Sequence, residues 1–276
     1  MSGADTASSR CAVAFEKARA ENRATLVGYL PAGFPSLAGG IAAIRTVIEA
    51  GVDMVEVGLP YSDPVMDGPV IQRATERALA AGVRTAEVLR TVEAVAGAGV
   101  PVLVMTYWAP VERYGVDRFA RDLAAAGGAG LITPDLIPDE AEEWLAASDA
   151  HGLDRVFLVA PSSTDARLAA TVAACRGFVY AAALMGVTGA RDQVSAAAPR
   201  LVERVRAVSS AVPVGVGLGV RDGRQAAVVA GYADAVIVGS ALVSQVLDAP
   251  DEATGLARLR DLTADLATGV RSATAG

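Results

Sequence analysis

Glu56, Asp63 and Asp67 are the residues from which chemistry is most readily built in this chain. Glu56 lies in an apolar run, residues 54–59, that reads as a β-strand. Side chains alternate along a strand, so Met54, Glu56 and Gly58 share one face while Val55 and Val57 share the other. The valine face suits packing beneath helices, which leaves Glu56 aimed at whatever the strand lines. A carboxylate there costs free energy unless it is hydrated, paired or used. The following loop carries Asp63 and Asp67 among Pro60, Pro64 and Pro69. Proline fixes φ and removes a backbone donor, so this loop is stiff and can hold an acid in register with a fixed strand residue. A lone loop Asp is ordinarily a solvated turn residue, but a Glu inside an apolar strand is not ordinary. Carboxylates held this way can act as general acids and bases.

Other chemistries lack the residues they need. Lys17 is the only lysine and belongs to an N-terminal helix ahead of every strand, which argues against a Schiff base. His151 is the only histidine, at an Ala-rich helix end before Gly152, where a capping or surface role is expected. A Ser–His triad or a His-based metal site would rest on it alone. Cys11 and Cys175 have no paired spacing, so neither a disulfide nor a zinc framework is expected. A net charge of −7 argues against a nucleic-acid partner. No metal and no cofactor are expected; the chemistry runs on carboxylates, hydroxyls and backbone amides.

Two glycine-bearing turns suggest a phosphate. One strand runs into Gly217-Leu218-Gly219, and the last runs into Gly239-Ser240 before a short helical stretch. Glycines let backbone amides approach a ligand closely, and a helix N-terminus favours an anion. The spacing does not fit the dinucleotide fingerprint G-x-G-x-x-G. A third segment, Met185 to Gln193 and on to Pro199, is long for a loop between strand and helix. Loops of that length are commonly lids, here with Gly186 and Gly189 as hinges and the Gly189 amide available to a phosphate.

These positions require a scaffold that brings strand ends to one face. Apolar runs rich in β-branched residues predict strands at residues 25–30, 54–59, 102–106, 130–133, 156–159, 178–182, 214–217 and 235–238. Between them, helical patterns cover residues 41–50, 70–98 with a break at Gly82, 111–126, 139–150, 166–174, 200–209 and 225–230. An amphipathic helix at 9–22 precedes them, with Cys11, Val13, Phe15 and Ala18 turned inwards, and helices at 241–247 and 252–270 follow. Eight such units with continuous apolar strands predict an α/β, single-domain (β/α)8 TIM barrel with an extra N-terminal helix. The loops after strands seven and eight are the usual phosphate site of that architecture. The 276 residues show no linker, giving an expected disordered start at 1–8 and one barrel domain at 9–276. Apolar runs end before the ~18 residues of a membrane span, and the first residues lack a signal pattern, so a cytoplasmic location is expected.

The motif Val55-Glu56-Val57-Gly58-Leu59-Pro60-Tyr61-Ser62-Asp63-Pro64, continuing Asp67-Gly68-Pro69-Val70-Ile71-Gln72, resembles the signature of the tryptophan synthase alpha subunit family. Gly186-Val187-Thr188-Gly189, Gly217-Leu218-Gly219-Val220 and Gly239-Ser240-Ala241 resemble its other loops in the same order. The resemblance implies cleavage of indole-3-glycerol phosphate to indole and glyceraldehyde 3-phosphate, without a cofactor. It implies Glu56 as general acid/base and Asp67 as acceptor from the indole N–H. Tyr180, Tyr29 and Tyr107 would lie against the substrate. Amides of Gly189, Gly219, Gly239 and Ser240 would hold the phosphate, and Thr188 would close the lid over Asp67. It also implies a tryptophan synthase beta subunit as partner.

A retro-aldol cleavage needs an electron sink, and a protonated indole is one, so two carboxylates suffice where lysine and metal ligands are scarce. Three positions depart from the family's pattern: Ala183 where Ser is usual, Ala109 where Asn is usual, and the added Ile137 in Asp135-Leu136-Ile137-Pro138. The last two lie in regions that face the beta subunit in the family. They leave open a stand-alone lyase releasing free indole, or a non-catalytic subunit that activates a beta-type partner.

Overall fold

The computed structural model describes residues 9–183, 197–217 and 219–273. The expected disordered start at 1–8 and the expected lid segment with Thr188 and Gly189 lie outside the described residues. Eight parallel strands close into a barrel in chain order. They are β1 (Thr25–Pro31), β2 (Met54–Gly58), β3 (Val102–Met105), β4 (Gly130–Thr133), β5 (Asp154–Val159), β6 (Val179–Ala182), β7 (Val214–Gly217) and β8 (Ala235–Val238).

The helices are α1 (Arg10–Ala20), α2 (Leu37–Glu49), α3 (Pro69–Ala80), α4 (Thr85–Val95), α5 (Trp108–Tyr114) and α6 (Val116–Ala125). They continue with α7 (Glu142–Ala150), α8 (Asp165–Ala174), α9 (Ala197–Val208), α10 (Gly223–Ala230), α11 (Ser240–Leu247) and α12 (Glu252–Ser272). Local chemistry sets several starts. The side chains of Ser36, Thr164, Asp222 and Asp251 cap α2, α8, α10 and α12, each accepting a backbone N–H of the first turn. Pro69 begins α3, where its missing N–H costs nothing.

The strands sort their side chains as alternation requires. Val55 and Val57 of β2 join the large layer between strands and helices. Met54 joins a smaller cluster in the barrel's interior with Val27, Leu103, Val156 and Phe178. The base of that interior is plugged by α1, whose Cys11 and Phe15 belong to the same cluster, with the Phe15 and Phe178 rings 5.8 Å apart. Val13, expected on the inner face of this helix, is 59 % exposed: the plug uses a narrow stripe of Cys11, Phe15 and Ala18.

The break at Gly82 separates α3 from α4 as the sequence indicated. The helix expected over 111–126 is instead two, because Gly115 between them takes φ +96°, which a helix cannot contain. No described helix is long and apolar enough to cross a membrane.

Candidate active site

A cavity of about 620 Å³ opens at the C-terminal ends of the strands. Its lining includes Tyr29, Glu56, Asp67, Tyr180, Gly219, Gly239 and Ser240. Residues from β1, β2, β6 and the loops after β2, β7 and β8 thus meet although as many as 211 positions separate Tyr29 and Ser240 in the chain (240 − 29).

Glu56 stands at the floor. It faces the interior because it alternates with Val55 and Val57, and Tyr29 is its cross-strand neighbour on β1. It is 0 % exposed, and neither carboxyl oxygen has a hydrogen-bond partner among the described residues. Burial without compensation pushes its pKa from 4.5 up to about 8, so near neutral pH this glutamate is largely a protonated acid.

Asp67 enters from the loop after β2 and is only part-buried. Its placement is a consequence of Tyr107. The Tyr107 hydroxyl accepts the Met66 N–H at 2.9 Å and donates a longer bond, 3.4 Å, to Asp67 Oδ1. Gln72 Nε2 donates to the Asp67 carbonyl at 2.8 Å, tying the loop to the first turn of α3. Burial raises the Asp67 pKa, and the Tyr107 hydrogen bond partly offsets that rise. Asp63 is different: it is exposed, and among the described residues its one hydrogen bond is from its neighbour, the Ser62 hydroxyl, at 2.5 Å.

The two tyrosines over the cavity occupy slots made by missing side chains. A Cβ at Gly58 would collide with the Tyr29 hydroxyl, and one at Gly217 with that of Tyr180. Burial keeps both phenols well above the ordinary tyrosine range, followed for Tyr29 by the charges of Asp67 and Glu56 and for Tyr180 by that of Glu56. Tyr29 therefore lies within electrostatic reach of both acids. Neither phenol ionises here; each presents a ring face and a neutral hydroxyl.

Tyr107, expected against the substrate, is absent from the cavity lining; it braces the acidic loop from behind, its ring 5.4 Å from that of Tyr61. Gly219 at φ +82°, Gly239 and Ser240, the first residue of α11, all line the cavity. Thr188 and Gly189 lie outside the described residues. His151 is where a helix-end reading puts it, its ring 3.0 Å from Asp117 on the surface.

Sequence reasoning did not single out the apolar walls, Met105, Leu158 and Ile237, nor Arg221. The walls could have been found by carrying the alternation rule along β3, β5 and β8 to their last inward residues. A cavity with an apolar waist, two carboxyls at one end and backbone amides at the other suits a flat aromatic body bearing a short phosphorylated chain.

The family model for the tryptophan synthase alpha chain matches residues 15–271 of this chain. The tryptophan synthase alpha chain of Salinispora arenicola is 70 % identical over 264 residues, which is 96 % of this chain and 98 % of that one. Tryptophan synthase of Mycobacterium tuberculosis superposes with a TM-score of 0.89 at 63 % identity, covering 96 % of this chain and 99 % of that one. The more distant alpha subunit of Legionella pneumophila superposes with a TM-score of 0.84 at 32 % identity, covering 95 % of this chain and 98 % of that one.

Proposed function

The chain belongs to the tryptophan synthase alpha chain family, and from that premise we propose how its cavity performs the family's lyase reaction. The reaction splits indole-3-glycerol phosphate into indole and glyceraldehyde 3-phosphate, a step of tryptophan biosynthesis. The observation that carries the mechanism is Glu56, a fully buried carboxyl with no partner among the described residues, facing a ligand-sized cavity.

The indole ring occupies the apolar waist between Met105, Leu158 and Ile237, with Tyr29 and Tyr180 against it. Protonated Glu56 delivers its proton to indole C3. The ring becomes an indolenine with positive charge at nitrogen, and the Asp67 carboxylate accepts the N–H and stabilises that charge. Glu56, now anionic in a site that disfavours its charge, takes the proton from the hydroxyl on the carbon attached to C3. The C–O bond becomes a carbonyl, the C–C bond breaks, and its electron pair returns to the ring. Indole and the aldehyde form, and Glu56 ends protonated as it began. The phosphate sits at Gly219, Gly239 and Ser240, where amides and the N-terminus of α11 favour an anion. Binding there, remote from the reacting bond, supplies positioning.

As an alpha chain it works with a tryptophan synthase beta subunit. The acidic loop suits that contact: Val65, between Asp63 and Asp67, is 80 % exposed and does not line the cavity. A partner that presses on this loop acts on Asp67 directly. We place the enzyme in the cytoplasm with the rest of such a pathway.

Purified protein incubated with indole-3-glycerol phosphate, alone and with a beta subunit, is expected to release indole, and faster with the partner. No indole under either condition overturns the reading.

A further inference from the structure

Arg221 is the only basic residue among the described residues that line the cavity. It follows β7 in the same loop as Gly219, at the glycine end and away from Glu56. Its backbone is fixed: the Arg221 N–H donates to Gln225 Oε1 at 2.9 Å, and the next residue, Asp222, accepts from Gln225 N–H at 2.8 Å to cap α10. Its guanidinium is exposed and makes no hydrogen bond or ion pair with the described residues. Its neighbour Arg224 is engaged instead with Asp222, at 3.6 Å.

The charge balance of the cavity gives this cation a role. The chain carries a net charge of −7, and the cavity itself contains two carboxyls, Glu56 and Asp67. A phosphate dianion entering beside them is repelled by Asp67 and draws only partial charges from backbone amides. A guanidinium on the same wall as Gly219 offsets that repulsion and can form a bidentate bond that an amide cannot.

We propose that Arg221 contacts the substrate phosphate and sets the enzyme's preference for phosphorylated over unphosphorylated indole-glycerol. This rests on the lyase reading for the identity of the substrate but not for the presence of an anion site. Arg221 is a binding residue; it does not touch the reacting bond, so its loss falls mainly on KM.

The test compares wild type, Arg221→Gln and the neighbouring charge control Arg224→Gln in two measurements. In the first, steady-state kinetics with indole-3-glycerol phosphate should show KM raised about five- to tenfold in Arg221→Gln with a smaller change in kcat, as loss of a part-exposed charge-assisted bond implies. Unphosphorylated indole-glycerol should be cleaved by wild type and Arg221→Gln at rates within about twofold of each other, since the missing partner is the phosphate. In the second, calorimetric binding of glycerol 3-phosphate should weaken by the same five- to tenfold factor in Arg221→Gln only. Equal affinity of wild type and Arg221→Gln for glycerol 3-phosphate, or an equal loss in Arg224→Gln, overturns the proposal. If wild type released no indole, the lyase reading would fall, and the glycerol 3-phosphate comparison would still decide Arg221.

Discussion

The barrel buries one carboxylate near each end and treats them in opposite ways. At the base, Asp154 opens β5 and is 1 % exposed. Its Oδ2 accepts the Ser9 hydroxyl and the Cys11 N–H, each at 3.0 Å. Its Oδ1 faces Arg176 Nε at 3.5 Å, an ion pair without hydrogen-bond geometry. The acid thus caps α1 and fastens the plug to the barrel. At the mouth, Glu56 is equally buried but has no hydrogen-bond partner among the described residues. A buried charge is tolerated when paired and is pushed to neutrality when not. The base pairs its acid and gains attachment. The mouth leaves its acid unpaired and gains a proton donor near neutral pH.

The sharpest way to break that contrast is to remove the ionisable proton from the mouth alone. Glu56→Gln keeps the shape and cannot transfer a proton. Indole release should fall by three to four orders of magnitude, about the scale of general acid–base catalysis, while circular dichroism stays that of the wild type. Turnover within tenfold of wild type would show that Glu56 is a bystander.

The same variant should be the more stable protein in alkali. The Glu56 pKa is raised by folding from 4.5 to about 8, so the folded state holds its proton across that window while the unfolded chain has released it. The stability tied to this proton is fully present below 4.5 and is lost as pH rises through about 8. Glu56→Gln lacks this dependence, so the unfolding free energies of the two proteins, from urea melts, should separate above pH 5 and differ by a few kcal/mol at pH 9. A constant gap from pH 5 to 9 would mean that Glu56 is not perturbed in the fold.

Substitution at the base should do the reverse. Asp154→Ala leaves Ser9 and the Cys11 N–H without their acceptor and removes the carboxylate facing Arg176. A loss of about 2–4 kcal/mol in unfolding free energy is expected, with kcat per folded molecule within about twofold of wild type. Stability unchanged, or activity lost in step with Glu56→Gln, would erase the division of labour between the ends.

The two acids also differ in how far the sequence discloses them. Glu56 was legible because its signal is local: one charge in an apolar strand, on the face opposite Val55 and Val57. Local signals likewise gave the eight strands, the break at Gly82 and the glycine end of the cavity. Asp154 was not legible. The predicted strand began two residues later, at Val156; what holds Asp154 in β5 is the Cys11 N–H of a helix 143 residues away. Arg221 was missed for the same reason, since the cavity it lines is formed by other strands, whereas the apolar walls were within reach of the alternation rule. The pair of helices around Gly115 was missed because a Gly in a helical pattern shows its φ only when the chain is folded.

Tyr107 separates bracing from catalysis and carries the smallest effect. Its hydroxyl accepts from Met66 N–H at 2.9 Å and donates to Asp67 at 3.4 Å. Tyr107→Phe keeps the ring against Tyr61 and removes both bonds. The prolines keep the loop stiff, so the loss should be that of an ordinary hydrogen bond, about 1 kcal/mol or roughly fivefold in kcat/KM. A purely structural brace would lower the rate equally at every pH. Tyr107, however, also holds the Asp67 pKa down against the rise caused by burial. Without the hydroxyl that pKa rises further, and Asp67 must be ionised to stabilise the indolenine. The acidic limb of the pH profile of kcat/KM should therefore move to higher pH in Tyr107→Phe, while the alkaline limb, set by Glu56 near pH 8, stays in place. A limb that does not move would reduce Tyr107 to loop packing and leave Asp67 positioned by Gln72 and the prolines alone.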